Sequence, residues 1–268
     1  VYNAQETSWE GAVPRANYIH PLFGLDGTVL TEDFPQDHLH HRGIFWAWHQ
    51  LYVGDQRIGD GWEIKDFSWR VVAMDTLNRK GPGKTLQANV VWESPAYTNE
   101  QGVPQPLVME RTEMTVHPLK NHVRAVDIAI SMKALVPQMT IGGSEDEKGY
   151  GGFSARIILP EDVEFSNEHG SVLPTNTPVD PSAWIQVTGS MAHNGSFGLT
   201  IIPHKENPGY PHPWILREKA SMQNAVYPFP GRHPVPLSME IPTVLRYRLL
   251  VHEKKLSDEE LRKFLYDQ

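Results

Sequence analysis

The residues best able to do chemistry crowd into one stretch, Phe34 to His49, which reads Phe-Pro-Gln-Asp-His-Leu-His-His-Arg-Gly-Ile-Phe-Trp-Ala-Trp-His. Four of the chain's 13 histidines stand there: His38, His40, His41 and His49. Asp37, Arg42, Trp46 and Trp48 are interleaved with them. Imidazoles, a carboxylate and a guanidinium can move protons, hold an oxyanion or bind a metal. At this density they also need partners once buried. Read as an extended segment, the stretch sends His38, His40 and Arg42 to one side and Asp37 and His41 to the other. That spacing fits a proton-transfer site in which Arg42 holds a substrate oxygen. It also fits a divalent-metal site, because His-X-His on a strand is a usable ligand pair that lacks a third donor. His38, His40 and the distant His204 would make such a set. A third reading is a hydrogen-bonded network that fixes a sharp corner.

Two later segments carry matching chemistry. In Ser144 to Phe153, Glu147 offers a general base, Lys148 a cation and Tyr150 a phenol. Gly151 and Gly152 allow close backbone approach to a ligand. The plainer alternative is a solvated acidic loop and a turn. In Ile202 to Arg217, His204 ends a strand, and His212, Trp214 and Arg217 follow in a proline-stiffened loop. Flat aromatic faces such as those of Trp46, Trp48 and Trp62 suit pyranose rings, and large aromatics are also the usual filling of a core. On a shared strand Trp46 and Trp48 face the same way, with at least one expected in the core. The expected catalytic set is therefore His40, His41, Arg42, Glu147, Tyr150 and His204. The expected ligand contacts are Asp37, Trp48, Lys148, Trp214 and Arg217. The acid–base reading needs no cofactor, and the alternative needs a divalent metal ion.

Composition narrows the class. The chain has 268 residues, 40% hydrophobic and 21% charged, with a formal net charge of −8 and no Lys/Arg-rich run. A nucleic-acid or anionic-membrane surface is not expected from that balance. Cysteine is absent, which excludes disulfides, thiolate metal sites and cysteine nucleophiles. No apolar run approaches the roughly 20 residues that span a bilayer.

The elements that must position these residues read as strands. Twenty-two prolines and 21 glycines scattered along the length disfavour long helices. Period-two alternation runs through Leu86 to Glu93, Arg111 to His117, Ala125 to Met132, Phe153 to Leu159 and Arg246 to Val251, the pattern of half-buried antiparallel strands. Segments 67–74, 185–189 and 197–202 also read as strands. Together they predict an all-β, two-sheet antiparallel sandwich forming one domain over 1–268. One helix is predicted, at the end: Ser257-Asp-Glu-Glu260 is a capping box followed by the apolar stripe Leu261, Phe264 and Leu265. The long stretches 95–106, 137–152 and 204–236 read as loops, where function tends to sit.

Tyr18-Ile-His-Pro-Leu22, Gly27-Thr-Val-Leu-Thr31, Asp33-Phe-Pro35, Asp37-His-Leu-His-His-Arg-Gly-Ile44, Trp46-Ala-Trp48, Lys148-Gly-Tyr-Gly-Gly-Phe153 and Leu245-Arg-Tyr-Arg-Leu249 follow one another in an order that resembles the bacterial "PmoA-like" family across nearly the full chain. The resemblance implies a sandwich similar to the galactose mutarotase supersandwich and a role in sugar breakdown. It further implies a histidine and a carboxylate sharing acid–base work at an anomeric centre, and a periplasmic or secreted location. The expected function is that of a carbohydrate-active enzyme, cleaving, eliminating from or epimerising a small sugar or oligosaccharide, with no nucleic-acid or membrane partner. A divalent-metal enzyme and a non-catalytic sugar binder are the alternatives.

Overall fold

Strands form where the sequence alternates. The segments beginning at Leu86, Arg111, Ala125 and Arg246 lie in strands Lys84–Glu93, Val108–Val116, Val123–Ala134 and Thr243–His252. Segments 67–74, 185–189 and 197–202 lie in Ser68–Leu77, Ile185–Met191 and Gly195–Pro203. The computed structural model of the chain describes residues 1–79, 81–191, 195–219 and 221–265. It is an all-β antiparallel sandwich with one short C-terminal helix. No helix among the described residues is long and apolar enough to cross a membrane.

One sheet has nine strands, ordered Gly170–Val172, Glu164–Asn167, Ile185–Met191, Gly195–Pro203, Thr243–His252, Val123–Ala134, Val108–Val116, Lys84–Glu93 and Ser68–Leu77. The other has seven, ordered Tyr2–Asn3, Tyr18–Ile19, Ile44–Trp48, Gly151–Ala155, Gln223–Val226, His212–Ile215 and Val179–Ser182. A four-stranded sheet contains Gln50–Val53, so the chain turns from the seven-stranded sheet into it at His49.

The main core lies between the two large sheets. Phe153 stacks on Tyr247 across it at 4.1 Å, and Trp48 sits 5.6 Å from Trp92. Trp46 donates its indole N–H to Glu110 Oε1 at 2.9 Å. Trp46 and Trp48 thus face inward together, as their alternation requires. Phe45, next to Trp46, faces out and meets His41 at 5.9 Å and Trp62 at 5.4 Å. The histidine segment therefore covers the outer face of the seven-stranded sheet.

That cover explains one difference from expectation. The alternation from Phe153 to Leu159 predicts a half-buried strand, yet the strand ends at Ala155 and residues 151–157 are all buried. The segment from Thr31 to Arg42 lies over it. Glu32 N–H donates to the Arg156 carbonyl at 3.1 Å, Arg156 N–H donates to the Gly43 carbonyl at 2.8 Å, and Thr31 bridges Ile157. Gly43 makes this docking feasible: its φ is +54°, and a Cβ there would overlap the Ile19 carbonyl oxygen. The terminal helix is Asp258–Arg262, and both arms of the Ser257/Glu260 capping box form. Leu261 is buried in a small second cluster with Trp184 and Leu250, and Phe264 and Leu265 pack against it.

Candidate functional site

The segment Asp37 to Arg42 is not extended. His38 N–H donates to the Pro35 carbonyl at 3.1 Å, and His41 N–H donates to the His38 carbonyl at 2.9 Å. Two tight turns in succession cancel the alternation and gather the rings instead. His38 stacks on His41 at 4.7 Å with 9° between planes, and His40 stands edge-on to His41 at 4.6 Å. The expectation that His41 points away from His38 and His40 is corrected: all three imidazoles form one cluster.

His49 joins them from the end of Ile44–Trp48, stacked on Trp62 at 5.3 Å. One carboxylate organises this side. Asp60 Oδ1 accepts the N–H groups of Trp62 and Glu63 at 3.0 and 2.9 Å, shaping the turn that presents them. Asp60 Oδ2 lies 2.9 Å from His49 Nδ1. That bond fixes the ring and leaves Nε2 as the nitrogen available to a ligand. Glu63, about half exposed, places Oε2 3.5 Å from His40 Nδ1.

The third wall is Ser144, Asp146 and Tyr150, and the fourth is Ser221 and Met222. With the four histidines, Trp62 and Glu63 they enclose about 230 Å³. Tyr150 sits 5.5 Å from Trp62 and accepts a hydrogen bond from Arg217 Nη2 at 2.7 Å. Its loop is held by Ser144, whose N–H donates to the Tyr150 carbonyl at 2.8 Å and whose Oγ accepts Tyr150 N–H at 2.8 Å. The glycines beside Tyr150 serve backbone packing. A Cβ on Gly152, at φ +95°, would press on the Ala225 carbonyl oxygen, and one on Gly151 would press on Gly143.

Behind the cluster stands Arg156, a buried guanidinium. Its Nη1 and Nη2 donate to Asp37 Oδ2 and Oδ1 at 2.9 and 2.8 Å, and its Nε donates to Glu32 at 2.5 Å. Nη1 also lies 3.4 Å from His41 Nδ1. Asp37 Oδ2 in turn lies 2.7 Å from His38 Nδ1. Burial alone would raise the Asp37 pKa, but the bonds from Arg156 and His38 outweigh it and hold the carboxyl well below its usual range. Burial, followed by the neighbouring His38 and His49, pushes His40 down to about 4. Burial, followed by His40, His38 and Arg156, pushes His41 down to about 2. Both imidazoles are therefore neutral at pH 7 and can accept or donate a hydrogen bond without carrying charge.

The structure gathers His38, His40, His41 and Tyr150 at one cavity. Asp37 touches it through His38, and Arg217 through Tyr150. Other expected members stand elsewhere. Arg42 is buried with all five of its N–H groups spent: Nε on Asp33, Nη1 on the carbonyls of Thr7 and Val13, Nη2 on Thr7 Oγ1 and Tyr18 Oη. It ties the first hairpin to the sheet and has no donor left for a substrate. Trp48 and Trp214 are core residues, their indole N–H groups on the carbonyls of Tyr227 at 2.8 Å and Ser182 at 3.4 Å. Glu147 is exposed and borders no part of the cavity; Glu63 occupies the place expected for it. Lys148 pairs with Asp146 at 3.7 Å, outside the cavity wall. His204 follows Gly195–Pro203 in the nine-stranded sheet, where its Nδ1 accepts Glu206 N–H at 3.1 Å. The metal set His38, His40 and His204 is thus not assembled, and no group of three or more His, Asp or Glu among the described residues is arranged to hold a metal ion.

Four charged residues outside the candidate segments escaped the sequence reading. Asp60 and Glu63 carried no motif, because their role arises from a turn that folds back to the Trp48 carbonyl. Arg156 looked like the solvent side of an alternating strand. Glu110 is fully buried in the core and accepts from Asn17, Trp46, Thr112 and Trp92 at 2.8, 2.9, 2.6 and 2.8 Å. Its signal was present: extending the Thr112 and Met114 parity back by two puts Glu110 on the inward face.

The fold and the cavity define an antiparallel β-sandwich with a histidine-lined hollow on the outer face of its seven-stranded sheet. The chain belongs to the family of unknown function DUF6807, whose family model matches residues 2–265. No curated protein and no solved structure matches it.

Proposed function

We propose that this chain is a carbohydrate-active enzyme that moves protons on a sugar with neutral histidines and one carboxylate. One observation carries the reading: His40 and His49, each with its own carboxylate, meet Tyr150 around a single cavity. His49, held at Nδ1 by Asp60, takes a proton at Nε2. The resulting imidazolium hands that proton back to the sugar or its leaving group, while neutral His40, beside Glu63, orients a sugar hydroxyl by a hydrogen bond. Tyr150, accepting from Arg217, keeps its own O–H to donate to a sugar oxygen. The resemblance to the "PmoA-like" family supports the sugar reading and a periplasmic or secreted setting.

Among the reactions open to such a site, elimination beside a carbonyl or epimerisation is favoured over hydrolysis. A glycosidase needs two facing carboxyl groups. Asp146 is held in its own turn by Ser144 Oγ at 2.6 Å and by the amides of Lys148 and Gly149 at 3.2 and 3.4 Å, which leaves Glu63 alone.

The test is turnover, followed by NMR, of a panel of monosaccharides, simple glycosides and keto-oxidised sugars. His40→Gln and His49→Gln are each expected to lower the rate by about 100-fold or more without lowering Tm. Undiminished turnover in both variants overturns the proposal. Sugar binding that depends on His40 with no substrate consumed replaces it with a binding module.

A further inference from the structure

Beside the histidine cavity lies a second hollow of about 850 Å³. Two segments pass from one hollow to the other. The turn after Pro35 gives Asp37 to the larger hollow and His38 to the smaller. The loop before Gln223–Val226 gives Glu218 and Lys219 to the larger, and Ser221 and Met222 to the smaller. Asp37 and His38 are successive residues, about 3.8 Å apart at Cα, and Arg156 of the larger hollow lies 3.4 Å from His41 of the smaller, so the two hollows adjoin at this turn. The divider is the ion pair of Asp37 with Arg156 and the Asp37–His38 bond.

Size separates their roles. Sites for small ligands run from roughly 300 to 1,000 Å³. The histidine cavity, at about 230 Å³, falls short of that range, and the neighbouring hollow, at about 850 Å³, lies near its top. A ligand larger than one small ring outgrows the histidine cavity, and the neighbouring hollow is adjoining space for the rest of it.

The lining specifies what extends. Glu32, Glu161 and Glu218 supply carboxylate acceptors. Arg156 is committed to Glu32 and Asp37, so Lys219 is the one other cation in the wall. Ile158, partly exposed, and Val163 give an aliphatic floor. Acceptors beside aliphatic surface match a ring with hydroxyls at its edge and C–H groups on its face, and the carboxylates repel a polyanion. We infer that the two hollows are successive subsites of one cleft, and that its ligand is a neutral oligosaccharide whose reacting unit sits among the histidines and whose further units lie along Ile158, Glu161 and Glu218. This inference rests on the sugar reading above.

The experiment is calorimetric binding of neutral mono-, di- and trisaccharides of glucose, galactose, mannose and xylose, with a trigalacturonate as the charged control. One neutral series is expected to gain at least tenfold in affinity from one unit to three, and the trigalacturonate to bind more weakly than that trisaccharide. The double variant Glu161→Ala, Glu218→Ala changes two exposed side chains away from the histidines. It is expected to remove the gain and leave monosaccharide affinity unchanged. A monosaccharide that binds with no gain on lengthening overturns the second subsite and leaves the sugar reading standing. A gain that survives the double variant, or trigalacturonate binding as tightly as the neutral trisaccharide, also overturns it. No binding by any sugar overturns both readings.

Discussion

Replacing Arg156 with methionine keeps most of the buried stem and removes the guanidinium. Four contacts vanish: two to Asp37, one to Glu32 and one to His41. Breaking a buried ion pair by removing one partner costs about 3–5 kcal/mol. The two carboxylates left behind are 31% and 35% exposed, so water takes over part of the lost hydrogen bonding. That lowers the expected loss to roughly 2–3 kcal/mol at pH 7. At about 2–4 °C per kcal/mol for a chain of this size class, Tm falls by roughly 4–12 °C. The sign of the pH dependence follows from Asp37, whose carboxyl is held below its usual range in the folded chain. Such a group contributes stability above its unfolded pKa of about 4, and the contribution fades as pH falls below that. The deficit of Arg156→Met should therefore be largest at neutral pH and shrink in acid. Urea denaturation of both proteins at pH 7 and pH 3.5 measures it. A deficit under about 0.5 kcal/mol at pH 7, or one that does not shrink in acid, refutes the role given to Arg156.

Three further outcomes are expected. His40 drops from 6.5 to about 4 on folding, so its contribution is complete above pH 6.5 and is lost as pH falls toward 4; at about 1.4 kcal/mol per pH unit the loss reaches roughly 3 kcal/mol, and His40→Gln should flatten that limb of the urea-stability profile. Gly43→Ala should abolish soluble folded protein or cost more than about 3 kcal/mol, because it combines a positive φ with a backbone overlap at Ile19; circular dichroism and urea melts decide it. Tyr150→Phe leaves Arg217 bonded to the carbonyls of Thr175 and Asn176, so stability should change by less than about 1 kcal/mol while sugar turnover falls about tenfold, as expected for one lost hydroxyl contact.

The strands were readable wherever one face is buried and the other wet. The inward and outward parities of Leu86 to Glu93 and Ala125 to Met132 match their burial at most positions, with Val91 and Ala125 buried on the outward side and Leu86 only partly buried. The capping box at Ser257 was readable because its chemistry is local. Parity misled at Arg156, since the backbone just past the strand end is covered on both faces and has no wet side. It misled again at His41, because two turns replaced the extended backbone on which the expected facing depended. His204 was chosen for its place at a strand end and Glu147 for its loop position, and neither property fixes which site a side chain reaches in space. Glu63 and Asp60 were invisible for the converse reason: an ordinary Asp-initiated turn acquires chemistry when the fold sets it against His49 and His40. Arg42 shows the limit of motif density, for within the richest stretch of the chain its five donors all serve the scaffold.

The central claim is that His38, His40, His41 and His49 act together at one ligand cavity. Imidazole nitrogen–proton NMR correlation spectra, recorded at pH 7 while the sugar panel is added, test it most directly. The expected result is that one sugar class shifts the signals of these four histidines together and leaves those of His204 and His117 in place. A sugar that shifts His204 or His117 and spares the four, or shifts at only one of the four, would contradict it.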